Sequence, residues 1–196
     1  LYNTLECIRG QALMDGNTSV AYMLEALGNF FRYSISRREN VVTLADEINN
    51  IRSYMLIQNY RFLNRYRFEL EYLEDEEPLL GCYVPKLTLQ PIVENAIYHG
   101  LKYKETKGLL CVTGYRRNQD AVIEISDDGV GMNEETLKHI FEKHKVNYHS
   151  NGVGVYNVQK RLKLYYGDDY GITYKSELGK GTIATITIPG RQGEKI

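Results

Sequence analysis

The chain has 196 residues and a formal net charge of −1, with 24 Lys and Arg against 25 Asp and Glu. This length suits one ordinary domain with an appendage or two small domains. The balanced charge provides no field for capturing nucleic acid or an anionic membrane surface, so we expect no nucleic-acid partner. The three widely spaced cysteines contain no CxxC pair, which excludes an obvious disulfide framework or zinc site and favours a reducing cytoplasm.

The first 62 residues have a helical pattern. Met23, Leu27, Phe30 and Ser34 recur at spacings of four, three and four, which predicts an apolar stripe along one helix face. Such a stripe needs a partner. We expect the stripe to lie in a dimer interface. The alternative is a helical subdomain that packs on its own chain.

A second helix is predicted after Thr43, because Asp46 follows three residues later as in a capping box. Ile48, Ile51 and Met55 then continue an apolar stripe at heptad-like positions. No apolar run reaches the roughly 20 residues of a membrane helix. The chain as given is therefore expected to stay in the cytoplasm.

Strands and helices alternate irregularly beyond residue 63. The strands are predicted at YRFELEY (66–72), CVTGYRR (111–117), AVIEISD (121–127), GITYKSE (171–177) and TIATITI (182–188), and helices at about 86–102, 133–143 and 155–166. No regular βαβ rhythm is present. The pattern therefore predicts an α+β two-layer sandwich and not a doubly wound sheet.

The segment LQPIVENAIYHGLK (89–102) carries Asn95, His99 and Lys102 at i, i+4 and i+7, which share one face of a regular α-helix. An amide, an imidazole and an ammonium on one face suit a metal-bound triphosphate. The Asn95 side chain offers the neutral oxygen that Mg²⁺ accepts as a ligand. The alternative is a polar helix face in solvent.

The segment SDDGVGM (126–132) follows a predicted strand. Asp127 at the strand end can accept a hydrogen bond from the exocyclic amine of a purine, and Gly129 and Gly131 allow close backbone approach. By itself this pattern is also that of an ordinary turn.

Two further segments are rich in glycine. In NGVGVYNVQKRL (151–162), Gly152 and Gly154 lead into a helix whose first turn is an anion site, and Asn157 can add a contact there. In LGKGTIATI (178–186), Thr182 reaches a ligand only if the turn lies against the site. A simple hairpin is the alternative for the latter.

In this order and spacing, the four segments resemble the asparagine box and three glycine boxes of the superfamily of gyrase, Hsp90, histidine kinases and MutL. The resemblance implies a two-layer α/β sandwich of the GHKL (Bergerat) ATP-binding type, with ATP and Mg²⁺ as cofactors. It implies that Asn95 is the Mg²⁺ ligand and that Asp127 reads adenine. Gly152 and Gly154 are then the phosphate-side glycines, and 133–151 is the ATP lid.

The flanks resemble LytS-like sensor histidine kinases, and this likeness covers nearly the whole chain. It rests on LYNTL (1–5), FFRYS (30–34), the EIxxIxxYxxIQxxRF run (47–62) and LQPIVENAIYHG. The resemblance implies that 1–64 is the remnant of a helical dimerisation and phosphotransfer segment, forming a homodimer, and that 65–196 is the ATP-binding catalytic domain.

In that family the phosphate-accepting histidine lies in a PHFLYN-like segment, which would place it two residues before Leu1 and outside this sequence. The chain is therefore expected to contain no catalytic acceptor and not to phosphorylate itself. In the intact protein, which is expected in the cell membrane, the γ-phosphate goes to that histidine and then to an Asp of a response regulator receiver domain.

The position of the water-orienting Glu of the hydrolysing relatives is occupied here by Pro91, which favours phosphate transfer over hydrolysis. His139, His144 and His149 are expected in or near the lid, and none as the acceptor, whereas His99 is expected to contact phosphate. A nucleotide-binding switch module and an anti-sigma-type Ser kinase are the alternatives. The LYNTL flank argues against the Ser kinase.

Overall fold

The computed structural model describes residues 2–36, 40–73, 76–141 and 152–190. Residues 142–151 of the predicted lid, which include His144 and His149, lie outside the described residues. Among the described helices, none combines the length and the apolar character that crossing a bilayer requires.

The chain begins with a helical hairpin. Helix α1 (Tyr2–Met14) joins α2 (Thr18–Ile35) through a turn in which Asn17 caps α2, since its side-chain oxygen accepts from the Val20 N–H at 3.3 Å. The stripe predicted on α2 is half-buried against the chain itself, and the Phe30 ring lies 5.8 Å from the ring of Tyr54. The chain thus covers part of the surface for which a dimer partner was expected, and dimerisation stays a prediction.

Helix α3 (Leu44–Arg61) begins with the predicted capping box. The Thr43 hydroxyl oxygen accepts from the Asp46 N–H at 3.2 Å, and the Asp46 carboxylate accepts from the Thr43 N–H at 3.1 Å. Ile51 and Met55 of α3 belong to the same hydrophobic core as the sheet residues. The core therefore joins residues on both sides of the domain boundary predicted at 64, and that boundary stays a prediction.

A five-stranded mixed sheet forms one layer of the sandwich. Its strands are β2 (Tyr66–Tyr72), β4 (Gly108–Arg117), β5 (Asp120–Asp127), β6 (Gly171–Glu177) and β7 (Gly181–Pro189), in the order β2-β4-β5-β7-β6. The pair β2–β4 is parallel and the other pairs are antiparallel. A separate two-stranded antiparallel ladder, β1 (Val41–Thr43) with β3 (Tyr83–Pro85), was not predicted.

The other layer consists of helices. These are α3 and α4 (Glu76–Leu80), α5 (Gln90–Asn95), which continues as a π-helical turn (Ala96–Gly100) and a 3₁₀ turn (Leu101–Tyr103), α6 (Glu134–Lys138) and α7 (Gly152–Tyr166). Ile97 next to α5 and Leu162 of α7 are fully buried in the same hydrophobic core as Ile123 and Ile186 of the sheet. The predicted α+β two-layer sandwich is confirmed, with a shorter α6 than the predicted helix at 133–143.

Candidate functional site

A cavity of about 370 Å³ lies between the α5 segment and the helix-facing side of the sheet. It is lined by Ile92, Asn95, Ala96, His99, Gly100, Ile125, Asp127, Gly131, Met132, Thr136, Ile140, Tyr174, Thr182 and Ala184. Residues from three of the four segments singled out in the sequence thus share one cavity, although they are up to 92 residues apart, from Ile92 to Ala184.

Asp127, the last residue of β5, is buried in the wall of this cavity with 8% of its surface exposed. Its carboxylate accepts a hydrogen bond from the Gly129 N–H at 2.9 Å. Burial raises the pKa of Asp127 to about 6, even though the hydrogen bond from Gly129 acts in the opposite direction. The carboxylate accepts from backbone N–H groups and borders the cavity, so a ligand amine can donate to it as well.

The glycines after Asp127 hold its loop against the rest of the protein. A Cβ on Gly129 would lie 2.4 Å from the carbonyl carbon of Gly100, and Gly131 combines a φ of +66° with a Cβ position 2.0 Å from the carbonyl oxygen of Glu177. The sequence predicted close backbone approach at both positions. In the structure the approaching backbone is that of the protein itself, and Gly131 also lines the cavity.

Asn95 ends α5 at the cavity wall. Its side-chain oxygen is buried and accepts no hydrogen bond from any described residue. Buried polar atoms without a partner are rare in folded proteins, and a neutral amide oxygen is a suitable Mg²⁺ ligand. Asn95 therefore fits the metal-binding position predicted for it.

The prediction that Asn95, His99 and Lys102 share one face assumed a regular α-helix. The segment that carries Asn95 is irregular. It widens into the π turn at Ala96–Gly100 and tightens into the 3₁₀ turn, which changes the angle between successive side chains. Asn95 and His99 line the cavity, although His99 is exposed, whereas Lys102 is exposed outside the lining and its Nζ lies 5.8 Å from the ring centroid of Tyr103. Partial burial and the charge of Lys102 lower the pKa of His99.

The first turn of α7 lies beside the cavity. A Cβ on Gly154 would be 3.2 Å from the Cβ of Pro91, the residue before the cavity-lining Ile92. Gly152 is the first residue of the helix, so this turn brings backbone N–H groups that have no acceptor within the helix near the cavity. Asn157 is exposed and stands outside the cavity lining.

The turn before β7 lies against the site, as the role predicted for Thr182 requires. Gly181 has a φ of +102°, and a Cβ there would be 2.0 Å from the carbonyl oxygen of Asp127. The hydroxyl oxygens of Thr182 and Ser176 are 2.9 Å apart, and Ser176 accepts from the Met132 N–H at 2.8 Å. This turn therefore supports both the end of β5 and the loop that follows it.

Sequence reasoning missed the apolar wall of the cavity. Ile125, Ala184 and Tyr174 lie side by side on β5, β7 and β6, and Met132 and Ile140 complete the wall. Apolar and polar residues alternate along the predicted strands, which indicated that one face of the sheet is buried. This alternation does not indicate that part of that face borders a cavity. A wall of this kind suits the faces of a planar aromatic base.

A second buried carboxylate, Glu47 of α3, anchors the entry to α5. It is fully buried and accepts from the N–H groups of Leu87 and Leu89 at 2.6 and 2.7 Å, and from the hydroxyl of Tyr33. Leu87 has a φ of +59°, and its carbonyl accepts from Arg161 of α7 at 2.9 Å. Glu47 thus links α2, α3 and the start of the Asn95 helix.

Two family models match the chain. The model for histidine kinase-, DNA gyrase B- and HSP90-like ATPases matches residues 85–192, and a histidine kinase model matches residues 1–66. Together they cover almost the whole chain.

Individual relatives agree with the family models. The chain is 35% identical to sensor histidine kinase YesM of Bacillus subtilis, over 97% of this chain and 31% of that protein, and 28% identical to sensor protein LytS of Bacillus cereus, over 100% of this chain and 33% of that protein. It spans about a third of the length of the curated relatives that it matches. The histidine kinase domain of the Erythrobacter litoralis EL346 blue-light activated histidine kinase has a similar fold, with a TM-score of 0.54 at 16% identity over 95% of this chain and 82% of that one.

Proposed function

The chain belongs to the family of histidine kinase-, DNA gyrase B- and HSP90-like ATPases, and on that premise we propose that it is the ATP-binding part of a sensor histidine kinase. The resemblance predicted from the four sequence segments and their flanks is confirmed by the family models and by the LytS relative. The steps of phosphate transfer and the partners are our proposal.

The pairing of Asp127 with Asn95 in one cavity supports this proposal most directly. Asp127 is a buried acceptor with capacity beyond its backbone hydrogen bonds from Gly129 and Thr182, and Asn95 presents a buried oxygen that has no partner among the described residues. The first accepts from the amino group of adenine, and the second binds Mg²⁺ on the phosphate side. The N–H groups at the start of α7 lie beside the same cavity and suit the phosphates.

Bound Mg²⁺ supplies charge neutralisation for the phosphates, and the chain's own residues position the nucleotide. His99 lines the cavity near Asn95 and is proposed to contact a phosphate, whereas Gly152, Gly154 and Asn157 are proposed to serve the phosphate side from α7. Lys102, being exposed, can reach a phosphate only from the rim.

The γ-phosphate is proposed to pass in line to a histidine that precedes Leu1 in the family pattern, and then to an Asp of a response regulator receiver domain. Pro91 cannot act as a general base for water, which favours transfer over hydrolysis. We propose that residues 1–64 form the dimerising segment of a homodimer and that 65–196 form the catalytic domain.

Calorimetry with ATP, with and without Mg²⁺, tests the metal assignment. Wild type should bind ATP more tightly with Mg²⁺, and Asn95→Ala should lose about tenfold in affinity only when Mg²⁺ is present, because one metal ligand is gone. Asn49→Ala, on the exposed side of α3, is the matched control and should behave as wild type. An undiminished Mg²⁺ effect in Asn95→Ala would refute the role of Asn95, and absence of ATP binding in wild type would refute the function.

Labelling with γ-³²P-ATP tests the acceptor assignment. The 196-residue chain should give no acid-labile, base-stable phosphate, because His99 lies in the cavity wall and not on the helical segment. Extension of the chain upstream through the PHF of the family pattern should restore such a product. Acid-labile labelling of the present chain would show that one of its own histidines is the acceptor.

A further inference from the structure

Tyr174 stands in the cavity wall two strands away from Ile125. The strand registers place Tyr174 opposite Ala184, and Ala184 opposite Ile125. The small Ala184 side chain leaves space between its two larger neighbours, and all three line the cavity. Asp127 follows Ile125 on the same face of β5, so Tyr174 and Asp127 border the same space.

The hydroxyl of Tyr174 is buried and has no hydrogen-bond partner in the part of the chain that the structure describes. A buried hydroxyl that forms no hydrogen bond is costly, so this position calls for a partner that is not part of the protein's own framework. Burial, and then the negative charge of Asp127, raise the pKa of Tyr174 well above its ordinary value. The group is therefore protonated, and an O–H donor, at neutral pH.

Asp127 and Tyr174 together offer an acceptor and a donor to the same ligand. Adenine presents the matching pair, because its 6-amino group donates and its ring nitrogens N1 and N7, on either side of that group, accept. Guanine presents an oxo group in place of the amine, which opposes Asp127, and an N–H in place of the acceptor at N1, whereas its N7 accepts as that of adenine does. This match rests on the proposed function, in which the cavity holds the base of ATP.

We propose that the Tyr174 hydroxyl donates a hydrogen bond to a ring nitrogen of adenine next to the 6-amino group, and that Tyr174 thereby positions the base in the site. Asp127 recognises the amine and Tyr174 recognises the ring nitrogen. Asp127 distinguishes adenine from guanine by the sense of its hydrogen bond, and Tyr174 adds to this distinction if its acceptor is N1, because N7 accepts in both bases.

Calorimetry with ATP, 1-deaza-ATP and 7-deaza-ATP tests this assignment on wild type and Tyr174→Phe. Wild type should bind one of the two deaza analogues about three- to tenfold more weakly than ATP, since that analogue lacks the acceptor. Tyr174→Phe should bind ATP more weakly by the same factor and should lose nothing further with that analogue. The analogue affected identifies the nitrogen.

Tyr66→Phe is the matched control, because the Tyr66 hydroxyl is also buried and has no partner among the described residues, but lies outside the cavity lining. It should bind all three nucleotides as wild type does. Thermal unfolding of nucleotide-free Tyr174→Phe should occur no lower than that of wild type, whereas a purely structural hydroxyl would make it lower.

Equal affinities of wild type for all three nucleotides would overturn the proposal, and so would a loss in Tyr174→Phe that is the same for all three. The wild-type comparison decides the matter even if the variant does not fold. These results differ from a failure of the proposed function itself, in which ATP does not bind or Asp127→Asn leaves its affinity unchanged.

Discussion

Asp127 and Glu47 are both buried carboxylates whose pKa is raised by burial, yet their surroundings differ. Glu47 is fully enclosed, and three donors from two other parts of the chain, Tyr33, Leu87 and Leu89, occupy its oxygens. Asp127 borders a cavity and is left with acceptor capacity there.

Glu47 and Asp127 serve two different purposes as buried carboxylates. A carboxylate whose acceptor sites are filled by the protein fixes the positions of its donors, and its removal leaves those donors unpaired. A carboxylate that lacks donors destabilises the free protein and recovers this free energy when a ligand donates to it. Substitution of the two residues should therefore change the free energy of unfolding in opposite directions.

Glu47→Ala is expected to have the largest effect, a loss of about 3–5 kcal/mol in the free energy of unfolding, because it leaves buried N–H groups without an acceptor and opens a cavity. Urea unfolding of the nucleotide-free protein measures this loss. Glu25→Ala, an exposed glutamate on α2, is the control and should change the free energy by less than about 0.5 kcal/mol. Unfolding of Glu47→Ala at the wild-type midpoint would show that the carboxylate does not hold its donors.

Asp127→Asn should weaken nucleotide binding by about ten- to a hundredfold, because the amide presents a weaker acceptor to the adenine amine. The same change should raise the free energy of unfolding of the nucleotide-free protein at pH 7.5 by about 1–2 kcal/mol, since it removes a charge that burial disfavours. Calorimetry and urea unfolding of one preparation test both effects. A loss of stability would place Asp127 in the same class as Glu47.

The pH dependence should follow the raised pKa of Asp127, which is about 6 in the fold against an ordinary value of 3.8. The folded state therefore binds this proton more tightly, and the stability that it contributes is present below pH 3.8 and is lost as the pH rises through 6. Nucleotide binding has the opposite sign, because only the ionised form is a full acceptor.

Affinity for ATP should accordingly fall by about tenfold between pH 7.5 and pH 5 through Asp127. Asp127→Asn serves as the reference, since it retains the titration of the nucleotide phosphates and lacks that of the carboxylate. If wild type and the variant show the same pH dependence, the carboxylate does not titrate in the way that its surroundings indicate.

Local signals in the sequence were sufficient for much of the fold. The capping box of Thr43 and Asp46 is formed by residues three positions apart, and strands β2 and β6 match their predicted ranges because alternation is a local property. The chain order of the four segments predicted Asn95 and Asp127 as site residues. The structure places both in the lining of one cavity, and their roles stay a prediction.

Long-range and irregular features could not be read in the same way. The Glu47 contacts join residues 14 to 42 positions apart, and no local pattern marks a glutamate on a helix as the one to be buried. The π turn at Ala96–Gly100 depends on packing that periodicity does not contain. Lys102 was therefore predicted on the same helix face as Asn95, whereas the π and 3₁₀ turns place it outside the cavity lining.

The position of Leu87 limits how the molecule can be divided. Its N–H is held by Glu47, 40 residues earlier, and its carbonyl by Arg161, 74 residues later. A fragment beginning at Pro85 would retain every residue of the cavity lining. It would lose α3, and with it the hydrogen bond from the Leu87 N–H to Glu47. Such a fragment would also expose the core surface that α3 covers, so the proposed catalytic domain at 65–196 is expected to need α3 for stable expression, in a fragment that begins no later than Thr43.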